Sequence, residues 1–236
     1  MDNDALSRRG FIGAGAVVGA AAAIGADAAQ ASSPPTFKQP KTPAEALHVL
    51  RQGNRRWQRG DTQLRSYSPV VERHEEAQKP FAAILTCADS RLSTTLIFDL
   101  HRGNLFVSRV AGNTVDVGTL GSTEYAVGVL GVKLIMVLGH SNCGAVKAAL
   151  GVADGSMTYP PAQYGAIGAF VDAVVPAIEA LPPDQRTLEP AIEANARAAA
   201  QQLAASEPII KPAVDAGTIR VVAAVYDIKS GRVTLL

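Results

Sequence analysis

The segment Phe81–Arg91, FAAILTCADSR, joins a short apolar run to a group of chemically reactive side chains. The run Phe81–Thr86 has the length and composition that predict a buried β-strand. Cys87 follows this strand directly, and Asp89 and Arg91 come next. Functional groups just past strand ends are typical of sites in parallel α/β sheets. The segment therefore predicts both a fold class and the position of a site.

Two further apolar runs predict neighbouring strands. Leu105–Val110 is the next run along the chain, and Leu134–Leu138 leads through Gly139 into His140-Ser141-Asn142-Cys143. The segment Leu120–Leu130 between these runs predicts a helix. Strands that alternate with helices favour a parallel sheet. The two polar segments, each just past a strand end, are where such a sheet builds its site.

The rest of the chain completes a single catalytic domain, which we place at residues 42–236. Beyond Leu150, the sequence predicts helices over Ala166–Ala180 and Leu188–Ala205. A strand over Thr218–Ile228, a turn at Lys229–Gly231 and a returning strand over Arg232–Leu236 follow. The last three predict a hairpin. The predicted fold class is α/β, with a central, mainly parallel β-sheet flanked by helices and an antiparallel strand at the C-terminal edge.

The predicted domain opens with a helix. Thr42-Pro43-Ala44-Glu45 has the spacing of a capping box and places proline at the first helical position. Apolar residues between Leu47 and Trp57 share one face, and Gly60 ends the helix. Three arginines lie on the other side: Arg55, Arg56 and Arg59. They indicate either a solvated face or a surface for an anionic partner, and we predict the solvated face.

The composition excludes several classes of protein. A chain of 236 residues suits one domain with a sizeable core. A formal net charge of +1 and a pI near 7.8 give no basic surface for nucleic acid, so we expect no nucleic-acid partner. Two cysteines cannot build a disulfide scaffold. The expected partner is a small-molecule substrate.

The two cysteines, Cys87 and Cys143, form a candidate metal-binding set with His140. Two thiolates and an imidazole suit zinc, and three protein ligands leave a fourth position for water, as in catalytic sites. We expect one Zn²⁺ per chain and a hydrolase or hydratase. Asp89 is placed to accept a hydrogen bond from the activated water, and Arg91 to hold that carboxylate. Two inert buried thiols or a single disulfide are the alternative interpretation of the cysteines.

These motifs resemble those of the β-class carbonic anhydrases. Cys87-Ala88-Asp89-Ser90-Arg91 combined with His140-Ser141-Asn142-Cys143-Gly144 carries the resemblance, which extends from about Thr42 to the end of the chain. It includes three further segments, Gln78–Phe81, Phe106–Asn113 and Gly121–Val127. The resemblance implies that family's fold, a homodimer or higher homo-oligomer, and reversible hydration of carbon dioxide to bicarbonate and a proton.

The resemblance also implies roles for individual residues. Asp89 and Arg91 match the family's catalytic pair, and Asp89 becomes a conditional fourth metal ligand in a closed state. The substrate pocket is implied to be small and apolar, with a lining of Gln78, Phe106, Ala111, Tyr125 and Gly144. Two alternatives stay open: hydrolysis of carbonyl sulfide or carbon disulfide on the same fold, and a non-catalytic zinc or thiol-redox protein.

The N-terminal residues predict an export signal. Ser7-Arg8-Arg9-Gly10-Phe11-Ile12 matches the twin-arginine pattern, and a weakly hydrophobic run rich in Gly and Ala follows. Ala29-Gln30-Ala31 supplies a small-x-small cleavage site. We predict a signal peptide over residues 1–31, cleaved near Ala31, a disordered leader over 32–41, and a periplasmic mature protein in a bacterium. A membrane anchor is the alternative, but the run is short and poor in leucine.

Overall fold

A five-stranded sheet organises the residues that the computed structural model describes, 38–63 and 78–236. The strands follow the order β2-β1-β3-β4-β5, and all neighbours are parallel except the antiparallel pair β4–β5. Their bounds are β1 Ala82–Thr86, β2 Leu105–Arg109, β3 Leu134–His140, β4 Arg220–Tyr226 and β5 Val233–Leu235. The predicted fold class, including the antiparallel C-terminal strand, is confirmed.

Helices cover both faces of this sheet. The α-helices of the described residues are α1 Pro43–Gln58, α2 Thr94–Ile97, α3 Val117–Gly128, α4 Gly144–Ala153, α5 Pro161–Tyr164, α6 Ile167–Glu179, α7 Leu188–Ala204 and α8 Ile210–Asp215. Two 3₁₀ turns span Ala111–Asn113 and Pro183–Gln185. Within the described ranges, no helix has both the length and the apolar character needed to cross a bilayer.

Side chains of the central strands alternate between two cores. Ile84 and Met136 face a cluster that includes Leu50 of α1. Leu85 and Ile135 point the other way, into a cluster formed largely with α3, α7 and α8. Every residue of β1 and β3 is buried, as expected for the middle strands of a parallel sheet with both faces covered. β2 lies at an edge and is only partly buried.

Helix α1 differs from its prediction in two details. Thr42 Oγ1 accepts a hydrogen bond from Glu45 N, but the Glu45 carboxylate accepts from Lys41 N and leaves the capping box incomplete. The solvated arginine face is wrong for Arg56, because its side chain forms an ion pair with Asp99, which is buried. A buried carboxylate needs such a partner.

The bounds of one helix and one strand near the site also differ from the predicted ones. The helix predicted over Leu120–Leu130 begins earlier, at Val117, because Asp116 accepts a hydrogen bond from Thr119 N while Thr119 Oγ1 accepts one from Asp116 N. This reciprocal cap fixes the start of α3. Strand β3 continues through His140, so this histidine is the last residue of the strand and is held by its pairing with Tyr226.

The predicted signal peptide, residues 1–31, lies outside the described residues, as does most of the predicted leader. Of the leader, residues 38–41 are described. Pro40 is buried there, and Gln39 Nε2 donates a hydrogen bond to the Lys79 carbonyl.

Candidate metal centre

Strands β1 and β3 bring three candidate ligands together at the carboxyl end of the sheet. Cys87 follows β1, His140 ends β3, and Cys143 is the cap residue before α4. Their ligand atoms all lie within 4.8 Å of one another, and all three residues are buried. Parallel pairing explains this convergence, because the register aligns Thr86 with Leu138 and so sets the carboxyl ends of both strands side by side.

His140 presents a free nitrogen to this cluster. Its Nδ1 lies 3.0 Å from the Ser141 carbonyl oxygen, which accepts only if Nδ1 carries the proton. The neutral tautomer then leaves a lone pair on Nε2. Nε2 is fully buried and has no hydrogen-bond partner within the described ranges. A buried polar atom without a partner is costly, so this nitrogen fits a metal ion in the space between the three ligands.

The thiol groups of Cys87 and Cys143 are close enough to interact directly. A hydrogen bond with Cys143 is the main reason that the pKa of Cys87 falls to about 4, and the same bond together with burial raises the pKa of Cys143. Gly112 N donates to Cys87 Sγ at 3.4 Å and also favours the thiolate. A dication bound between the sulfurs would take the place of the hydrogen-bonded proton, since metal coordination deprotonates thiols.

Asp89 and Arg91 form a bidentate ion pair beside the cluster of Cys87, His140 and Cys143. Arg91 Nε donates to Asp89 Oδ1 at 2.9 Å and Arg91 Nη2 to Oδ2 at 2.7 Å, while Arg91 N adds a third bond to Oδ1. These bonds hold the pKa of the Asp89 carboxyl well below its ordinary range. The carboxylate is therefore both ionised and fixed in orientation.

Arg109, to which sequence reasoning gave no role, holds the loop that carries Cys87 and Asp89. Its Nε donates to the Cys87 carbonyl at 3.2 Å, and its Nη2 donates to the Asp89 carbonyl. The residue lies at the end of β2, next to Thr86 in the register. The arginine in Phe106–Asn113 was visible in the sequence, but only the pairing of β1 with β2 reveals its target.

Gly112 and Asn195 form a second support that the sequence did not predict. Gly112 has φ +71°, and a Cβ there would lie 3.2 Å from both Ala145 Cβ and Val174 Cγ2. Asn195 of α7 is buried and donates through Nδ2 to the Gly112 carbonyl at 2.7 Å. The glycine that donates to Cys87 Sγ is thus fixed from three helices. A lone asparagine in a helix carries no signal of such a role.

The predicted pocket residues fall into two groups. Ala111 and Gly144 adjoin the centre, because Ala111 precedes Gly112 and Gly144 follows Cys143. Phe106 pairs with Ala83, four positions before Cys87, which corresponds to about 13 Å along a strand. The ring of Tyr125 lies 6.2 Å from that of Phe106. Gln78 is exposed and lies before the amino end of β1, whereas Cys87 follows the carboxyl end of that strand.

A sequence profile described as carbonic anhydrase matches residues 82–233, which include the whole cluster and most of the chain. The chain belongs to the β-carbonic anhydrase family. The assignment to the β class rests on the fold. A β-carbonic anhydrase from Coccomyxa, solved with acetazolamide, superposes with a TM-score of 0.60 at 29% identity, and the match covers 72% of this chain and 78% of that one.

Two mycobacterial relatives agree with this assignment. Carbonic anhydrase 2 of Mycobacterium tuberculosis is 45% identical over 139 residues, which are 58% of this chain and 64% of that protein. The match thus spans slightly less than two thirds of the relative's length. The carbonic anhydrase of Mycolicibacterium smegmatis is 37% identical over 199 residues, 82% of this chain and 93% of that protein. Among solved structures, tetrameric β-carbonic anhydrases from Sordaria macrospora reach a TM-score of 0.60 at 25% identity, covering 80% of this chain and 96% of theirs.

Proposed function

We propose that this chain is a zinc-dependent carbonic anhydrase that catalyses the reversible hydration of carbon dioxide to bicarbonate and a proton. The observation that carries the proposal is the buried cluster of Cys87, His140 and Cys143, with the unpartnered His140 Nε2 among the sulfurs. Family membership supports the reaction class. The Asp89–Arg91 pair beside the cluster supports catalysis over a purely structural site, which has no use for an oriented carboxylate.

The donor set fits zinc. Two thiolates and one neutral imidazole match its preference for sulfur and nitrogen, and a set of three leaves one position for water. When bound, the metal supplies a water ligand of lowered pKa as the nucleophile. The Ser141 carbonyl orients the imidazole through Nδ1, and the Gly112 amide steadies one sulfur. Partners of this kind set ligand basicity and ring orientation.

Asp89 is proposed to orient the nucleophile. A carboxylate held by Arg91 at both oxygens accepts a hydrogen bond in a fixed direction and so aims the reacting lone pair at the carbon of carbon dioxide. In the net reaction, the water oxygen forms a bond to carbon while the π bond of one C=O opens and its electrons move to the oxygen of that C=O. One proton of the water stays on bicarbonate, and the other passes to solvent. We propose that Asp89 is a conditional fourth ligand in a closed state.

We further propose a homo-oligomer whose pocket is completed by a second copy. Phe106 and Tyr125 lie on β2 and α3, at the open edge of the sheet, and Tyr125 is 46% exposed. Val117 at the start of α3 and Val129 just past its end are also exposed, 90% and 66%. Apolar surface at an unpaired edge strand is typical of a protein interface.

The separation of Phe106 and Gln78 from the metal centre within one chain supports the same proposal. If these residues line a substrate pocket, they line that of the neighbouring subunit, together with Ala111 and Gly144 beside its cluster. The tetrameric relatives from Sordaria macrospora are consistent with assembly of this kind.

Export by the twin-arginine route is a separate proposal, supported by Arg8-Arg9 and the Ala29-Gln30-Ala31 site. Replacing both arginines with lysine should leave a longer precursor inside the cell. Mature-length protein outside the cytoplasm in that double variant would exclude dependence on this route.

The decisive test of function compares two substrates. Protein loaded with zinc should hydrate carbon dioxide, measured by stopped-flow indicator assay, and should lose that activity on chelation and regain it with added zinc. Carbonyl sulfide turnover is measured on the same preparation. Turnover of carbonyl sulfide without carbon dioxide hydration would replace the proposed substrate, and a zinc-loaded protein inactive on both would favour a non-catalytic role.

A further inference from the structure

A cavity of about 390 Å³ lies between α1 and the C-terminal strand β5, on the side of the sheet that α1 covers. Its floor is apolar and buried, with Leu50, Phe98 and Met136. Its rim carries the side chains of Arg51, Arg55 and Arg232. This volume falls in the range of small-molecule sites, and the cavity shares no lining residue with the metal centre.

The rim carries three positively charged arginine side chains, and no carboxylate in the described part of the chain neutralises them. Arg51 and Arg55 are one helical turn apart on α1, and Arg232 faces them from the start of β5. No aspartate or glutamate lines the cavity, and none of the three guanidinium groups has a carboxylate partner among the described residues. Like charges at this spacing repel. Their neighbours on α1 behave differently, since Arg56 pairs with Asp99 and Arg59 with Asp61.

The cavity wall is pre-organised by Asn54, which is buried. Its Nδ2 donates to the carbonyls of Ile97 and Gly231 at 3.1 and 2.8 Å, and its Oδ1 accepts from Val233 N at 2.9 Å and from Gln58 Nε2 at 2.7 Å. These bonds tie α1 to the strand opposite and use the full capacity of the amide. Asn54 therefore has no capacity left for a ligand, and the charged groups that remain in the cavity lining are the guanidinium groups at the rim.

We propose that this cavity binds an organic anion. Its apolar body packs against Val233 and Leu235, which are partly exposed above the buried floor, and its carboxylate or phosphate group is held by Arg51, Arg55 and Arg232. Arginine forks suit both head groups through bidentate hydrogen bonds. An apolar pocket with a few charged groups at its mouth is the usual composition of a small-ligand site. The three arginines near the chain's first helix and last strand thereby acquire a common role.

The test uses calorimetric titration of the zinc-loaded protein with defined probes. Phenyl phosphate and phenylacetate carry both features, inorganic phosphate and acetate carry only the charge, and benzyl alcohol carries only the apolar body. At least one of the two aromatic anions should bind at one site per chain, at least tenfold more tightly than its own head group or the alcohol. Which of the two binds better identifies the head group. Absence of saturable binding by both aromatic anions overturns the proposal.

Variants locate the site. The double variant Arg51→Gln/Arg55→Gln and the single variant Arg232→Gln should each weaken binding at least tenfold. Arg59→Gln, which alters the exposed arginine just past the end of α1 and outside the cavity, should leave it unchanged. Carbon dioxide hydration should be unchanged in all of them, so failure of the proposed function leaves this test intact. Unaltered affinity in the double variant would mean that the anion binds elsewhere, as at the metal centre.

Discussion

The two halves of the metal centre are held in different ways. The β3 half, His140 to Cys143, is held mainly through the sheet and a helix start: the histidine ends a buried strand paired with Tyr226, its Nδ1 contacts the next carbonyl, and Cys143 caps α4. The β1 half, Cys87 to Arg91, depends on residues far along the chain. Arg109 holds its carbonyls, and Gly112, supported by Asn195, donates to its sulfur.

This difference predicts two kinds of damage. Substitution of His140 or Cys143 in the β3 half removes a ligand outright, because both residues belong to the ligand set. Changes around the β1 half leave the ligands in place and disturb the orientation of Cys87 and Asp89. Metal content and turnover should therefore decline together in the first case and separately in the second.

The largest effect is expected from loss of a β3 ligand. Cys143→Ser and His140→Asn should each lose most of the zinc, about one per chain in the wild type, and with it the activity, because two ligands hold zinc poorly. Zinc is measured by mass spectrometry of the purified protein. His48→Asn, an exposed histidine on α1, is the matched control and should retain the metal. Full zinc occupancy in Cys143→Ser would remove that residue from the ligand set.

A smaller but still large effect is expected from Asp89→Asn. The three ligands remain, so zinc content should stay at the wild-type level, while carbon dioxide hydration should fall by a factor on the order of 10², the scale of a positioned acid–base group. Asp61→Asn, an exposed aspartate near the end of α1, should have no effect. Wild-type turnover in Asp89→Asn at matched zinc content would reduce Asp89 to a structural partner of Arg91.

Arg109→Gln should have an intermediate effect. It breaks the bonds to the carbonyls of Cys87 and Asp89, and loss of a partner behind a metal ligand typically costs about 10-fold to 100-fold in affinity or activity. Stopped-flow rates at saturating zinc, together with zinc affinity from competition with a chelator, separate the two contributions. Arg220→Gln, an exposed arginine at the start of β4, serves as control. Equal rates and zinc affinities in Arg109→Gln and Arg220→Gln would show that the β1 half does not need the hydrogen bonds from Arg109.

The smallest effect on turnover is expected from Asn195→Ala. It leaves the Gly112 carbonyl without its buried donor, which should lower the free energy of unfolding by about 1–3 kcal/mol. Turnover at full zinc should change only slightly, since Gly112 keeps its place through packing. Urea unfolding measures the loss, with Arg197→Ala on the exposed side of α7 as control. A drop in turnover as large as that of Asp89→Asn would assign Asn195 a direct part in catalysis.

The features that sequence predicted are those with local causes. Apolar runs gave the strands, and because parallel strands end at one edge, the convergence of Cys87 with His140 followed from the pattern. The hairpin at the C-terminus also followed from its turn residues. Each strand and turn depends on residues that are neighbours in the chain, and the convergence follows from the general geometry of parallel sheets.

The features that sequence missed depend on contacts between distant segments. Arg56 was predicted to be solvated because its helical position faces away from Leu50, yet it pairs with Asp99, forty-three residues away. Arg109 and Asn195 are ordinary polar residues until the sheet and α7 bring them to the Cys87 loop. Their targets are backbone carbonyls, which leave no mark in a sequence.

The cramped position of Gly112 has a consequence for protein engineering. Its φ of +71° disfavours other residues, and side chains of α4 and α6 would crowd a Cβ there, so the position of the amide that meets Cys87 Sγ depends on how those helices pack. Transferring the two short cysteine motifs alone is therefore not expected to transfer the complete site to another protein. Grafted onto another parallel sheet, they would bring the ligands but not the environment of one sulfur, and a working transplant must carry α4, α6 and α7 with it.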